Sequence, residues 1–210
     1  MDDGDRKLAR LLEHPAIWRG RAAARPGVRA SGYAALDEHL PGGGWPRNGL
    51  IEILLARFGS GELQLILPAL AAATQSVSAR WCVWVAPPLM PFAPALVAQG
   101  MVLERVAVVG GERPLWAFEQ VLGSGACDVA LAWLKGPQPR DIRRLQLAAE
   151  RGRTLGVLFR PQRAAHESSA AQLRLAVRAT RTGVRVTVLK GRSAARGVVE
   201  LSDRDGWPRL

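Results

Sequence analysis

"EILLARFGSGELQLILPAL", Glu52 to Leu70, decides how the rest of the chain is read. An apolar run of strand length enters a short Gly/Ser turn, and a run of helical pattern leaves it. In a phosphate-binding loop of this kind, glycines let backbone N–H groups wrap the phosphates. A Lys neutralises the β/γ charge and a Ser or Thr holds magnesium. Aligning that pattern on Gly61 puts Ala56 at the first glycine, Glu62 at the lysine and Leu63 at the magnesium ligand; Gly59 lies within the turn. Three of the four defining positions fail. Glu62 opposes phosphate outright, because two unit charges ~4 Å apart repel by about 4 kcal/mol at an effective dielectric of ~20. A carboxylate in the first helical turn instead suits the positive end of the helix dipole.

Two further requirements of nucleotide hydrolysis fail alongside it. The later apolar strand "DVALAWL" (128–134) carries Trp133, not a carboxylate, near its end; Asp128 stands at its beginning, on the wrong edge of the sheet. After "RWCVWVA" (80–86), where a carboxylate would polarise the attacking water, the chain offers Pro87 and Pro88. The three losses together predict a protein that does not hydrolyse ATP. No cofactor and no metal are expected. His14, His39 and His166 are scattered, and Cys82 and Cys127 lie in separate apolar runs without ligand spacing.

Outward from the loop, "GLIEILL" (49–55), "RWCVWVA", "ERVAVV" (104–109), "DVALAWL" and "TLGVLFR" (154–160) read as short strands separated by helical stretches. That alternation argues for right-handed βαβ units and a buried, mainly parallel sheet sandwiched by helices. From about Ala165 the pattern becomes period-2. Leu173, Leu175 and Val177 face one way, with Arg174 and Arg178 among the interleaved residues. This predicts an antiparallel C-terminal extension with one buried face. The 210 residues divide into an N-terminal helix and basic linker (1–30), a core domain (31–202) and a C-terminal tail (203–210).

Charge is unevenly placed. Of a formal net charge of +11, residues 140–196 supply the whole, with 13 Arg and one Lys against Asp141, Glu150 and Glu167. Such asymmetry points to a polyanion or an acidic partner surface, set against the alternative of a solvated basic face. The start of the chain is acidic and then amphipathic, unlike a secretory signal, and two apolar-run thiols fit a reducing cytoplasm. Trp81, Trp84, Trp116 and Trp133 sit in core-like runs. Trp18 and Trp45 lie beside Gly, Pro or Arg in aperiodic segments and are candidates for an interface, and Trp207 is a candidate anchor for the tail.

"SGYAALDEHLPGGGWPRNGLIEI" resembles the entry to a RecA core, "VAVVGGERPLWAFEQVLGSGACDVALAW" its following helix and strand, and "LRLAVRATRTGVRVTVLKGR" its C-terminal meander. The likeness spans roughly residues 31–200. A RecA-like core with a degenerate loop is most similar to the ImuA family, often described as SulA-like. The resemblance implies a non-catalytic adaptor of SOS-induced, error-prone translesion synthesis, cytoplasmic and associated with the nucleoid when active. Its implied partners are ImuB (an inactive Y-family polymerase relative), an error-prone C-family DNA polymerase, RecA, and DNA through the basic face. Two alternatives stand beside it: a SulA-like inhibitor of cell division that binds FtsZ, and an atypical ATPase.

The same resemblance implies DNA-facing loops at 135–146 and 160–172. Lys135, Arg140, Arg143, Arg144, Arg151, Arg153, Arg160 and Arg163 are accordingly the expected contacts with DNA or an acidic partner. Contacts of that type bind without reading sequence and weaken steeply with salt. Leu8, Leu11, Leu12 and Trp18 form the expected protein interface of the N-terminal helix and linker, matching in position the segment by which RecA docks on a neighbour.

Overall fold

In a computed structural model, residues 27–191 and 197–207 are described. They form a mixed α/β fold around an eight-stranded, mostly parallel sheet with helices on both faces. A two-stranded ribbon, β1 (Val28–Arg29) and β2 (Trp45–Pro46), brackets the short helix α1 (Ala34–Asp37). The main run then alternates. It passes through β3 (Gly49–Leu55), α2 (Glu62–Gln75), β4 (Trp81–Val85), α3 (Ala93–Ala98), β5 (Val106–Val109), α4 (Pro114–Gly123), β6 (Cys127–Trp133), α5 (Pro139–Gly152) and β7 (Leu155–Pro161). It closes with the meander β8 (Leu173–Ala179), β9 (Gly183–Gly191) and β10 (Val198–Ser202).

The spatial order is β10-β9-β8-β3-β7-β6-β4-β5. β3 lies in the middle, parallel to β7 on one side and β8 on the other, and every one of its residues is buried. Full burial on both faces is why this strand reads as an unbroken apolar run and not as an alternation. Within this sheet, among the described residues, only the β8–β9 and β9–β10 pairings are antiparallel. The expected strands all appear, with ends shifted by a residue or two. "ERVAVV" differs most: Leu103–Arg105 make a 3-10 turn and only Val106–Val109 pair.

The alternation of side chains across the sheet divides the core in two. Ile51, Ile53, Leu55, Val157 and Phe159 pack under α2. Leu50, Ala130, Ala132 and Leu158 pack under α4 and α5. At about 25 cal/mol per Å² of apolar surface removed from water, each fully buried Leu or Ile contributes roughly 1.5–3 kcal/mol.

Several sequence expectations change. Val28 and Arg29, assigned to the linker, pair with the chain before β3. Trp45 is fully buried and belongs to the core, because the ribbon carries it under α1. Trp207 is also core, its ring 5.5 Å from that of Tyr33. Trp81 and Trp116, read as core, are 43% and 52% exposed; one begins a strand and the other sits on the outer side of α4. Arg174 does not point to solvent but is buried beneath the loop that follows β7.

Candidate functional site: a glycine turn held by its own side chains

The turn from β3 into α2 keeps the shape of an anion cradle. Gly61 caps the helix in the left-handed region (φ 92°), a conformation that favours glycine. Gly59 N–H donates to Glu62 Oε1 at 2.7 Å and Ser60 N–H donates to Oε2 at 2.8 Å. The carboxylate is 3% exposed. Amides that would wrap a phosphate are therefore held by a fixed internal anion at the helix N-terminus. Leu63, at the magnesium position, is half-buried against the core under α2, and Ala56 is exposed at the loop's entry.

The outside of the turn is covered as well. A side chain at Gly61 would come within 2.9 Å of the Trp207 ring. Trp207 is held there by its N–H to Ser202 O (2.9 Å), after a turn in which Asp205 accepts from Ser202 N–H and Oγ (both 3.0 Å). Tyr33 Oη donates to Gln64 O (2.9 Å) on the first turn of α2, and burial pushes the Tyr33 hydroxyl pKa up to about 12. Where a hydrolytic site would hold magnesium and water, the ends of β4, β6 and β7 supply rings. Trp133 stacks on Phe159 at 4.7 Å and lies 5.8 Å from Trp84. Asp128 is at the opposite edge, clasped by Arg80 and Arg29. Among the described residues no group of three or more His, Cys, Asp or Glu is placed to hold a metal. The thiols of Cys82 (up to about 12) and Cys127 are raised by burial, which keeps them protonated and unreactive.

The eight basic residues do not form one face. Lys135, Arg140, Arg143 and Arg163 are exposed near the carboxyl ends of the strands, on the loops after β6 and β7 and the first turns of α5. Arg151 and Arg153 are exposed at the far end of α5, a helix of 14 residues and thus about 21 Å long. Arg144 is paired with Glu119 on α4, and Asp141 lies 3.9 Å away. Arg160 is a correction: it is 1% exposed and cannot reach an external anion. Its guanidinium donates to Glu52 (2.8 Å), Glu167 (2.6 Å) and Pro137 O (3.1 Å).

Glu52 is the centre that the sequence reading missed. It is fully buried in β3, in register with Arg174 on β8, and accepts from Arg174 Nε at 2.6 Å. Arg174 also donates to Ala164 O (2.6 Å) and Glu167 O (3.0 Å). The formally neutral group of Glu52, Arg160, Arg174 and Glu167 thus fastens the loop after β7 to the sheet, and through Pro137 the loop after β6. The available signal was a lone Glu inside an apolar strand, since a buried carboxylate requires buried cationic partners.

A second omission is apolar. Leu89, Met90 and Phe92 follow β4 and are 81%, 78% and 70% exposed. Trp116 stands on α4 with the Arg113 guanidinium 5.3 Å from its ring. Val108 on the edge strand β5 is 39% exposed, and β5 pairs with β4, the strand that Leu89, Met90 and Phe92 follow. Exposed aromatic, Met and Arg side chains in one region are the composition of protein-binding surfaces. Leu8, Leu11, Leu12 and Trp18, the expected N-terminal interface, lie outside the described residues.

Comparison with known proteins follows the same direction. No family model matches the chain. It is 32% identical over 114 residues to the cell division inhibitor SulA of Photorhabdus laumondii, a match covering 53% of this chain and 63% of that protein. SulA of Edwardsiella piscicida is 32% identical over 121 residues, covering 56% of this chain and 71% of the relative. SulA of Serratia marcescens is 30% identical, with 55% and 70% covered. The crystal structure of SulA from Pseudomonas aeruginosa superposes with a TM-score of 0.45 at 23% identity, covering 53% of this chain and 97% of that one. The SulA-like part of the resemblance is supported by sequence identity across most of several SulA proteins: this chain belongs to the SulA family.

Proposed function

We propose that this protein works by binding other macromolecules in the SOS response, as a non-catalytic RecA-like protein of the cytoplasm that has given up nucleotide. The observation that carries this reading is the Glu62 carboxylate on the Gly59 and Ser60 amides. An incoming phosphate would have to displace it and then face it. Titration calorimetry with millimolar ATP and magnesium should give no saturable heat; saturable binding would return the protein to the atypical ATPases.

The first choice of partner is FtsZ, with inhibition of cell division as the outcome. The SulA relatives favour it, and the exposed Leu89, Met90, Phe92 and Trp116 offer a surface of suitable composition. In an FtsZ GTPase assay, the wild type should inhibit, and Phe92→Asp with Trp116→Asp should lose most of that inhibition. Unaltered GTPase activity with wild-type protein removes this reading.

A second reading is favoured by Lys135, Arg140, Arg143 and Arg163, exposed around the loops after β6 and β7. The SulA matches also cover only 53% to 56% of this chain. In this reading the protein is the ImuA-like adaptor of error-prone translesion synthesis, joining ImuB, an error-prone C-family polymerase, RecA and DNA. Co-purification with ImuB and RecA, with and without DNA across a salt series, separates the two readings. Retention of ImuB with no effect on FtsZ selects the adaptor.

A further inference from the structure

The open face of the meander carries an arrangement that folding does not explain. Arg178 on β8 lies directly opposite Arg185 on β9, and Arg174 lies opposite Lys190. Like charges directly opposite across a strand pair destabilise a sheet. Arg174 is occupied with Glu52, whereas Lys190 is exposed, with its ammonium on Ser169 O at 2.6 Å. Arg185 is shared with Glu200 on β10 (2.8 Å from Nε). Among the described residues Arg178 has no carboxylate within ion-pair distance.

The alternation of side chains places these cations on one face. Between the Arg178–Arg185 row and Lys190 runs a row of Ala176, Thr187 and Val198, half-buried or exposed. Along β8 the two positive positions are four residues apart, about 13 Å at ~3.3 Å per residue. Beyond Lys190 the face runs into a pocket of about 260 Å³ between α5 and the end of β9, lined by Gln146, Glu150, Gln172 and Lys190 among others.

We propose that this face binds an extended acidic polypeptide segment of a partner protein, with carboxylates four residues apart and an apolar side chain midway between them. The outer carboxylates would meet Lys190 and the Arg178–Arg185 pair, and the middle residue would cover Ala176 and Val198. The observations favour polypeptide over nucleic acid. Ala176 and Val198 lie between the cations and suit an apolar side chain, and among the described residues the surface carries no aromatic ring for base stacking. The surface is separate from the apolar edge at β5 and does not depend on which partner that edge takes.

The full-length protein is tested by fluorescence anisotropy with a labelled Glu-Ser-Leu-Ser-Glu peptide and, in parallel, a 20-nucleotide oligothymidylate. Arg178→Gln with Arg185→Gln should weaken peptide binding about tenfold, the effect of losing charge-assisted hydrogen bonds. Arg140→Gln with Arg143→Gln removes the same charge elsewhere and should leave peptide binding within about twofold. A thermal melt shows whether each variant is folded, and Arg178→Gln alone should melt no lower than wild type. Equal losses of peptide binding in the two double variants, no loss in either, a larger loss for oligothymidylate than for the peptide in Arg178→Gln with Arg185→Gln, or a destabilised Arg178→Gln would overturn the proposal.

Discussion

Glu62 and Glu52 stand ten residues apart, one on each side of the same turn, and both are buried carboxylates. Glu62 is satisfied locally, by amides two and three residues before it. Glu52 is satisfied by Arg160 and Arg174, 108 and 122 residues away. The local carboxylate holds the amides of its own loop. The distant one fastens two other loops and so fixes the carboxyl edge of the sheet. Both tie loops at the carboxyl ends of the strands to fixed partners. Loops tied down in this way present a preorganised surface, and preorganisation lowers the entropy lost on binding.

The sharpest way to break this comparison is Glu52→Ala. It leaves two buried guanidinium groups without their shared anion and should cost about 3–5 kcal/mol, read as a lowered urea midpoint. Replacing Glu52, Arg160 and Arg174 together with apolar residues should recover much of that loss, because the penalty arises from the unpaired charges. A triple variant as unstable as Glu52→Ala would mean that the ion pairs themselves hold the fold. Glu62→Ala should be milder, about 1–3 kcal/mol, since the freed amides of Gly59 and Ser60 can reach water at the rim. In the same variant the emptied cradle should take up inorganic phosphate detectably in a titration monitored by amide chemical shifts. Amide shifts identical to wild type under phosphate would show that Trp207, not Glu62, closes the site. Smallest of all, Arg178→Gln should raise stability by a few tenths of a kcal/mol, as expected for relief of one cross-strand repulsion.

The same contrast explains what could be read in advance. The turn from β3 into α2 was legible because its signal lies in short spacings. Likewise the strand runs and the period-2 meander were visible as patterns, since burial on one or both faces leaves a periodic mark. Arg160 was misread as a surface cation. Residue type and a basic neighbourhood predicted exposure, but its position in β7 put it beneath Pro137 and Glu167. Trp45 and Trp116 were misplaced for a related reason: an aperiodic context hid one core residue, and a helical context suggested another. Leu89, Met90 and Phe92 were passed over because a short apolar loop looks the same whether covered or bare.

The sequence by itself determined the α/β alternation, the Glu62–Leu63 pair after Gly61, and the excess of positive charge. Each is a property of composition or of residues within a few positions. Only the tertiary structure decided where that charge is available, because pairing depends on which strands become neighbours. It placed Glu52 beside Arg174, divided the basic residues between opposite ends of α5, and set Arg178 against Arg185. The topology of the sheet joins Glu52 to partners 108 and 122 positions away, and a lone Glu in an apolar run signals that such partners exist without saying which they are.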